Sequence, residues 1–440
     1  MKFFKSTVLT FISNIFGFGI SMITTILLSR LLGASGKGVI GVSNNIIAFS
    51  MLILGLGFEA ANIFFVGKDK KNINNILGYN LIICGFSFII LLIIASIHLV
   101  HPINFIFKGI DNRIIILLLF IIPMSLMKSS LINLILGLQD IVRFNKINVL
   151  DKIITFILML ISLLVFNSPL YIIFSTLLST LIIQLILIYI VIVKYNVKPS
   201  FNFVFYKKMI GYGAKSQISN TIQMINYRLD VFIINYFLEL SQVAIYQNAV
   251  SLGEALWQVS GTISTIVFPM TSNSKNIEEL KGFINRVSRV TLFFIVICSI
   301  FLSIISKPLI IFLFGKEFTD AYIALILLLP GISFFSVSKI LANFLAGVGK
   351  TEKNIISSSI SGITTIILDL ILIPRIGING AAIASSISYI VFTLTSIYFY
   401  SRYTKSSFKS ICVITKEDMS FIYTEINKFI NRKIRKKING

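Results

Sequence analysis

Long apolar runs alternate with short polar connections along the whole chain. A first set of runs falls near residues 7–32, 39–66, 76–100, 114–138, 147–166 and 170–193. A second falls near 209–237, 243–270, 290–314, 320–347, 354–374 and 378–401. At about 1.5 Å per residue, each is long enough to cross a hydrocarbon core of about 30 Å. Lipid offers the backbone no hydrogen-bond partners, so runs of this kind span as helices. The pattern predicts an all-α integral membrane protein of about twelve transmembrane helices. The first run follows Met1, Lys2 and Lys5 and continues to about Leu32. It is longer than a signal-peptide core and no small-residue cleavage motif closes it, so it reads as a retained first helix.

Composition agrees with the pattern: 56% of the 440 residues are hydrophobic and only 13% are charged. A soluble domain is about one-quarter charged. The net charge of +22 raises the question of nucleic acid, but no basic face with interleaved aromatics lies on a soluble domain, and no nucleic-acid partner is expected. Basic residues instead sort by side of the membrane. With the N-terminus inside, 28 of the 39 Lys and Arg fall on cytoplasmic segments, 7 outside (Arg30, Lys37, Lys108, Arg113, Lys307, Lys316, Arg375) and 4 within apolar runs. That asymmetry places both termini in the cytoplasm.

The second half weakly repeats the first. Ile12-Ser13-Asn14 recurs as Ile218-Ser219-Asn220, and at the same offset of 206 Leu32…Gly38-Val39-Ile40 aligns with Leu238…Ala244-Ile245-Tyr246. Two halves in the same orientation imply a pseudo-two-fold along the membrane normal and a central cavity. The organisation expected is a six-helix lobe over 1–194, a cytoplasmic linker over 195–208, a second six-helix lobe over 209–402 and a basic amphipathic tail over 403–440. In the tail, Ile422, Ile426, Phe429, Ile430, Ile434 and Ile438 recur at helical spacing, with Lys428, Arg432, Arg435 and Lys436 largely off that stripe. This suits a helix lying on an anionic lipid leaflet.

Charges inside membrane helices are costly and usually face a cavity. The basic ones in the apolar runs are Lys128, Lys215, Arg228 and Lys339; the acidic ones are Glu59, Asp230, Glu254 and Asp369. Cations in a dry vestibule suit phosphate or pyrophosphate, with Arg able to bind it bidentately. For Lys128 and Lys215 the competing reading is a side chain that snorkels to an interface. The carboxylates are candidates for carrying H+ or a cation such as Na+, or for neutralising a cation as a structural pair. No metal site and no cofactor is expected: Cys84, Cys298 and Cys412 are scattered, and His98 and His101 share one connection. Gly347-Val348-Gly349-Lys350-Thr351 resembles the end of a phosphate-binding loop, but that pattern needs glycine at 344, where Phe344 stands. No catalytic constellation and no long outside loop is present, which favours transport over enzymology.

Four stretches resemble the polysaccharide-biosynthesis flippases, the oligosaccharide (Wzx-like) transporters of the MOP superfamily. They are Ser29-Arg30-Leu31-Leu32-Gly33 with Gly38-Val39-Ile40; Tyr227-Arg228-Leu229-Asp230 with Tyr246 and Phe268-Pro269; Pro308-Leu309 through Phe314-Gly315-Lys316-Glu317-Phe318, then Leu329-Pro330-Gly331 and Gly347-Val348-Gly349-Lys350; and Leu372-Ile373-Pro374-Arg375-Ile376-Gly377-Ile378-Asn379-Gly380-Ala381-Ala382. The resemblance implies two six-helix lobes in the bacterial plasma membrane that work by alternating access. The implied cargo is an undecaprenyl-pyrophosphate-linked oligosaccharide moved to the outer leaflet, with a glycosyltransferase or polymerase of the same pathway as a candidate partner. Arg228, Lys215, Lys128, Lys339 and Arg30 are then candidates for the pyrophosphate, and Glu59, Asp230, Glu254 and Asp369 for coupling to H+, Na+ or membrane potential. Asp369 departs from the family, which commonly carries Asn there. A lipid II or spore-wall precursor flippase and a MATE-like multidrug exporter are the alternatives within the fold. A glycan polymerase or ligase is the alternative outside it.

Overall fold

The computed structural model describes residues 2–273, 277–420 and 424, and these are predominantly helical with no strand among them. In chain order the helices are α1 (Lys2–Leu54), α2 (Phe58–Lys68), α3 (Ile73–Val100), α4 (Asn104–Phe107), α5 (Asn112–Gly137), α6 (Ile141–Phe166), α7 (Pro169–Tyr189), α8 (Phe203–Phe237), α9 (Leu240–Ala255), α10 (Trp257–Asn273), α11 (Ile277–Phe314), α12 (Ala321–Gly347), α13 (Thr351–Ile376), α14 (Ile378–Thr404) and α15 (Phe408–Cys412). Nine of the described helices are long and apolar enough to cross a membrane. The predicted twelve spans follow from three further features. The helix α1 holds two spans that meet at Gly33, α8 is long but more polar, and α9 and α10 share one span interrupted near Leu256.

The bend in α1 has a local cause. Gly33 adopts φ 69° and ψ −176°, outside the helical region, and only glycine enters such a conformation without a Cβ penalty. The amide of Ala34 that the bend releases donates to Glu317 Oε2 at 2.9 Å. Shifted by the repeat offset, Gly33 falls on Glu239, in the gap between α8 and α9. Both halves therefore turn at the same place, as the weak repeat implies.

Two expectations need correction. The run near 39–66 is not one helix, because Leu56 and Gly57 take left-handed φ values of 49° and 72° and separate α1 from α2. Lys37 does not lie in an outside connection. It sits in the helical part of α1 beyond Gly33, is 6% exposed, bonds Asn248 Oδ1 and lies 5.7 Å from the Phe314 ring centroid. Asn248 in turn donates to Ser29 Oγ at 3.0 Å. A buried ammonium needs such partners, since leaving it unpaired is strongly unfavourable.

The chain forms two compact units. The first comprises Met1–Ala249, Pro308–Ala321 and Asp369–Ala381; the second comprises Val250–Lys307, Tyr322–Leu368 and Ala382–Gly440. In the first, α5 packs against α2, α3 and α7, and residues such as Ile121, Leu126, Leu131 and Leu134 are fully enclosed. In the second, Val337, Ile340, Leu341 and Phe344 of α12 pack with Ile284, Leu292, Ile397 and Tyr400. Large apolar side chains also face outward, among them Phe301 (63% exposed) and Ile304 (75%) on α11. In water this would be an aggregation liability; in lipid it is the contact surface. The stretch Gly347–Lys350 is the end of α12 and a turn with Gly349 at φ 78°, as expected for a helix terminus and not for a phosphate loop.

The start of the tail is anchored in the second unit. Asp418 is fully buried, pairs with Arg289 through two bonds of 2.7 and 2.9 Å, and lies 3.3 Å from Arg286. It also accepts from the Thr415 amide at 3.0 Å while Thr415 Oγ1 accepts from the Asp418 amide at 3.3 Å, a reciprocal helix cap. The Arg289 hydrogen bonds hold the Asp418 carboxyl well below the usual carboxylate range, reinforced by the Thr415 bonds against the effect of burial. A depressed value means the contribution is present above the ordinary carboxylate range and is lost only as pH falls through the lowered value. Replacing Asp418 with Asn at neutral pH removes the buried charge that Arg289 pairs with. Breaking such a pair costs about 3 kcal/mol, roughly a hundredfold in the opening equilibrium. Faster proteolysis after residue 404 in inside-out vesicles would register it; unchanged cleavage would show that the clasp contributes nothing. The apolar positions of the predicted tail helix, Ile422 to Ile438, lie outside the described residues.

Candidate functional site

The helix α8 carries most of the candidate chemistry. Asp230 is 4% exposed. It accepts a 2.6 Å hydrogen bond from the Tyr246 hydroxyl on α9 and a 2.7 Å bond from the Val231 amide. Asp369 on α13 belongs to the same compact unit and is completely buried. Neither of its carboxyl oxygens has a hydrogen-bond partner, and the charge of Asp230 acts on it. Two neighbouring carboxylates in a low-dielectric setting do not both stay ionised without compensation. The pair is chemically equipped to exchange a proton or a small cation. Among the described residues no group of three or more His, Cys, Asp and Glu forms a metal cluster.

Arg228 lies two residues before Asp230 on α8 and is half-buried. Lys215 is on the same helix, but its side chain lies outside the described set. Two and five residues beyond it, Gln217 and Asn220 line a cavity of about 260 Å³ together with Glu59, Phe58, Met51 and Leu52. Gln217 donates to the Leu52 carbonyl, and Ser129 donates to Glu59 Oε1. Glu59 therefore shares a cavity with amides from α8, which its position in the sequence did not reveal.

The other candidates are distributed differently. Lys128 pairs with Asp151 of α6 at 3.0 Å, with each side chain under one-fifth exposed. Asp151 is absent from the sequence candidates although it lies inside an apolar run. A carboxylate within reach of Lys128 across α5 and α6 is the signal that was available, and it needs the helix pairing to be used. Arg30 caps the C-terminal end of α11, donating to the carbonyls of Leu313 at 2.9 Å and of Phe312. Lys108 does the same for α8, reaching the carbonyls of Tyr236 and Leu238 at 2.7 and 2.8 Å. Cations at helix C-termini satisfy unpaired carbonyls and complement the helix dipole. In the second unit, the Lys339 ammonium lies 4.3 Å from the Trp257 ring centroid and 5.9 Å from that of Phe335, with Glu254 acting on its charge. Lys339 thus lies in an aromatic-walled setting. Cys84, Cys298 and Cys412 are free.

Comparison with known proteins places this geometry in context. A family model described as polysaccharide biosynthesis protein matches residues 27–323. A probable low-salt glycan biosynthesis flippase of Haloferax volcanii is 26% identical over 215 residues, covering 48% of this chain and 45% of the relative. The chain spans about half the length of the curated relatives it matches. Among solved structures, the lipid II flippase MurJ in an inward-closed conformation aligns with a TM-score of 0.74 at 18% identity, over 93% of this chain and 89% of that one. An inward-facing MATE multidrug-resistance transporter of the MOP superfamily aligns at 0.68 and 17%, over 88% and 94%. These likenesses establish the fold as that of MOP-type transporters. With the family model covering about two-thirds of its length, the chain belongs to the polysaccharide biosynthesis protein family.

Proposed function

We propose that this multi-pass membrane protein is a flippase, not an enzyme. It moves an undecaprenyl-pyrophosphate-linked oligosaccharide from the cytoplasmic to the outer leaflet of the bacterial plasma membrane for surface polysaccharide assembly. The observation that carries the reading is α8, a membrane helix of a polysaccharide-biosynthesis family member that holds Arg228, the buried Asp230 and the cavity amides Gln217 and Asn220. Arg228 and Lys215 take the pyrophosphate, whose dianionic oxygens match a guanidinium fork and an ammonium. Lys339, held over the Trp257 ring in the second unit, is a separate candidate cation for the anionic head group. Lys128 and Arg30 hold helices together through Asp151 and the end of α11, and contribute structure. The lobes 1–194 and 209–402 alternate access, with the prenyl chain remaining in lipid. Asp230 and Asp369 couple the cycle to H+ or Na+. The sorting of Lys and Arg supports cytoplasmic termini.

A lipid II-type precursor is the second reading. It shares the pyrophosphate chemistry, and a lipid II flippase shares the fold. The test uses a deletion strain in which lipid-linked intermediates are identified and their head groups probed from each side of the membrane. Oligosaccharide-linked lipid accumulates facing the cytoplasm, and an Arg228→Ala copy present at normal levels in the membrane fails to clear it. Clearance by Arg228→Ala overturns the role of that residue. An unchanged pool of oligosaccharide-linked lipid, with lipid II accumulating instead, transfers the function to the second reading.

A further inference from the structure

The break between α1 and α2 builds a small polar notch. Leu56 and Gly57 turn the chain in the left-handed region, and the turn meets α8 at Gly213, where backbone touches backbone. A Cβ on Gly57 would lie 2.0 Å from the Gly213 carbonyl oxygen. Beside this contact opens the cavity of about 260 Å³, with Glu59 on one wall and Gln217 and Asn220 of α8 on the other. Ser129 orients the Glu59 carboxylate from α5, and Gln217 is held by the Leu52 carbonyl. Glu59 and Asn220 are exposed within this setting.

The donor and acceptor set decides what the notch suits. A carboxylate accepts O–H bonds at two oxygens, and each amide both donates and accepts. That combination matches the neighbouring hydroxyls of a sugar ring, each of which donates one bond and accepts others. It does not match phosphate, because among the described residues the cavity lining contributes a carboxylate and no cation, and like charges repel. The same repulsion acts on an acidic sugar.

We infer that this notch is the subsite for a sugar unit of the cargo head group, and that Glu59 makes it select a neutral sugar over a uronic acid. The inference rests on the reading of the cargo as a lipid-linked glycan and adds to it the class of sugar taken. It also separates two tasks along α8, with pyrophosphate bound by the cations and sugar by the amides.

The experiment uses purified full-length protein in lipid nanodiscs and three probes. They are undecaprenyl pyrophosphate alone, the same lipid bearing one N-acetylhexosamine, and the same lipid bearing one hexuronic acid. Wild type binds the neutral-sugar lipid about tenfold more tightly than either other probe, the scale of one or two hydrogen bonds. Asn220→Ala removes most of that increment and leaves affinity for the bare lipid unchanged, which also serves as the check on folding. Glu59→Gln brings the uronic acid probe up towards the neutral one. Parallel changes for all three probes, or none for any, overturn the sugar subsite while the flippase reading stands. If wild type binds none of the three, the cargo reading fails and the subsite fails with it.

Discussion

Asp369→Asn leaves the protein folded in the membrane and uncouples transport from the ion gradient. The substitution keeps the shape of the side chain and removes one of two neighbouring buried carboxylates. The remaining Asp230 keeps its 2.6 Å bond from Tyr246. Nothing that binds Asp369 is lost, since neither of its oxygens has a hydrogen-bond partner. Stability therefore holds or rises, because deleting an uncompensated buried carboxyl removes a desolvation cost. The functional effect is large by contrast. One unit charge moving through 100 mV is worth about 2.3 kcal/mol, close to a fiftyfold accumulation ratio. In proteoliposomes with an imposed pH or sodium gradient, the variant equilibrates cargo between leaflets and no longer concentrates it. Which gradient drives wild type identifies the coupling ion. A variant that still concentrates cargo as wild type does would remove the pair from the mechanism.

How far this site could be read in the sequence follows from distance along the chain. The spans were legible because apolar runs are local, and each falls on helix, although α6, α8 and α11 begin about six to thirteen residues before the apolar runs they contain. The bend at Gly33 and the gap at Glu239 were legible only as a weak repeat, whose matched residues do not show that they mark turns. The break at Gly55–Gly57 was hidden inside an apolar run, since hydropathy does not register a left-handed turn. Single buried charges were visible as Lys128, Asp230 and Asp369, but their partners were not. Asp230 and Asp369 are brought together from α8 and α13 by packing, and Lys128 finds Asp151 across a helix pair. Lys37 reads as an outside residue for a related reason. Charge in a short stretch after a glycine reads as a loop until Asn248 and Phe314, far away in sequence, are seen to enclose it.

Gly57→Ala produces the second large effect, and it tests the notch by shape alone. Two costs add. Gly57 has φ 72°, where an L-residue with a Cβ is disfavoured by roughly 1–2 kcal/mol. The new Cβ would lie 2.0 Å from the Gly213 carbonyl oxygen and 2.4 Å from its carbon. Those atoms are backbone, so no side-chain rotation relieves the overlap, and α8 itself must shift at a cost of about 1–3 kcal/mol. Because Gln217 and Asn220 ride on α8 just beyond Gly213, that shift distorts the cavity they share with Glu59. Transport falls at least about tenfold, the rate equivalent of 1.4 kcal/mol, with a lower yield of monodisperse protein. The matched control is Gly211→Ala, two residues before Gly213 on α8, where an added Cβ meets nothing within 4 Å. It gains helix propensity of about 1 kcal/mol and retains transport. Equal behaviour of the two variants, whether both active or both dead, would mean that close approach of α8 to the Gly57 turn is not what shapes the site.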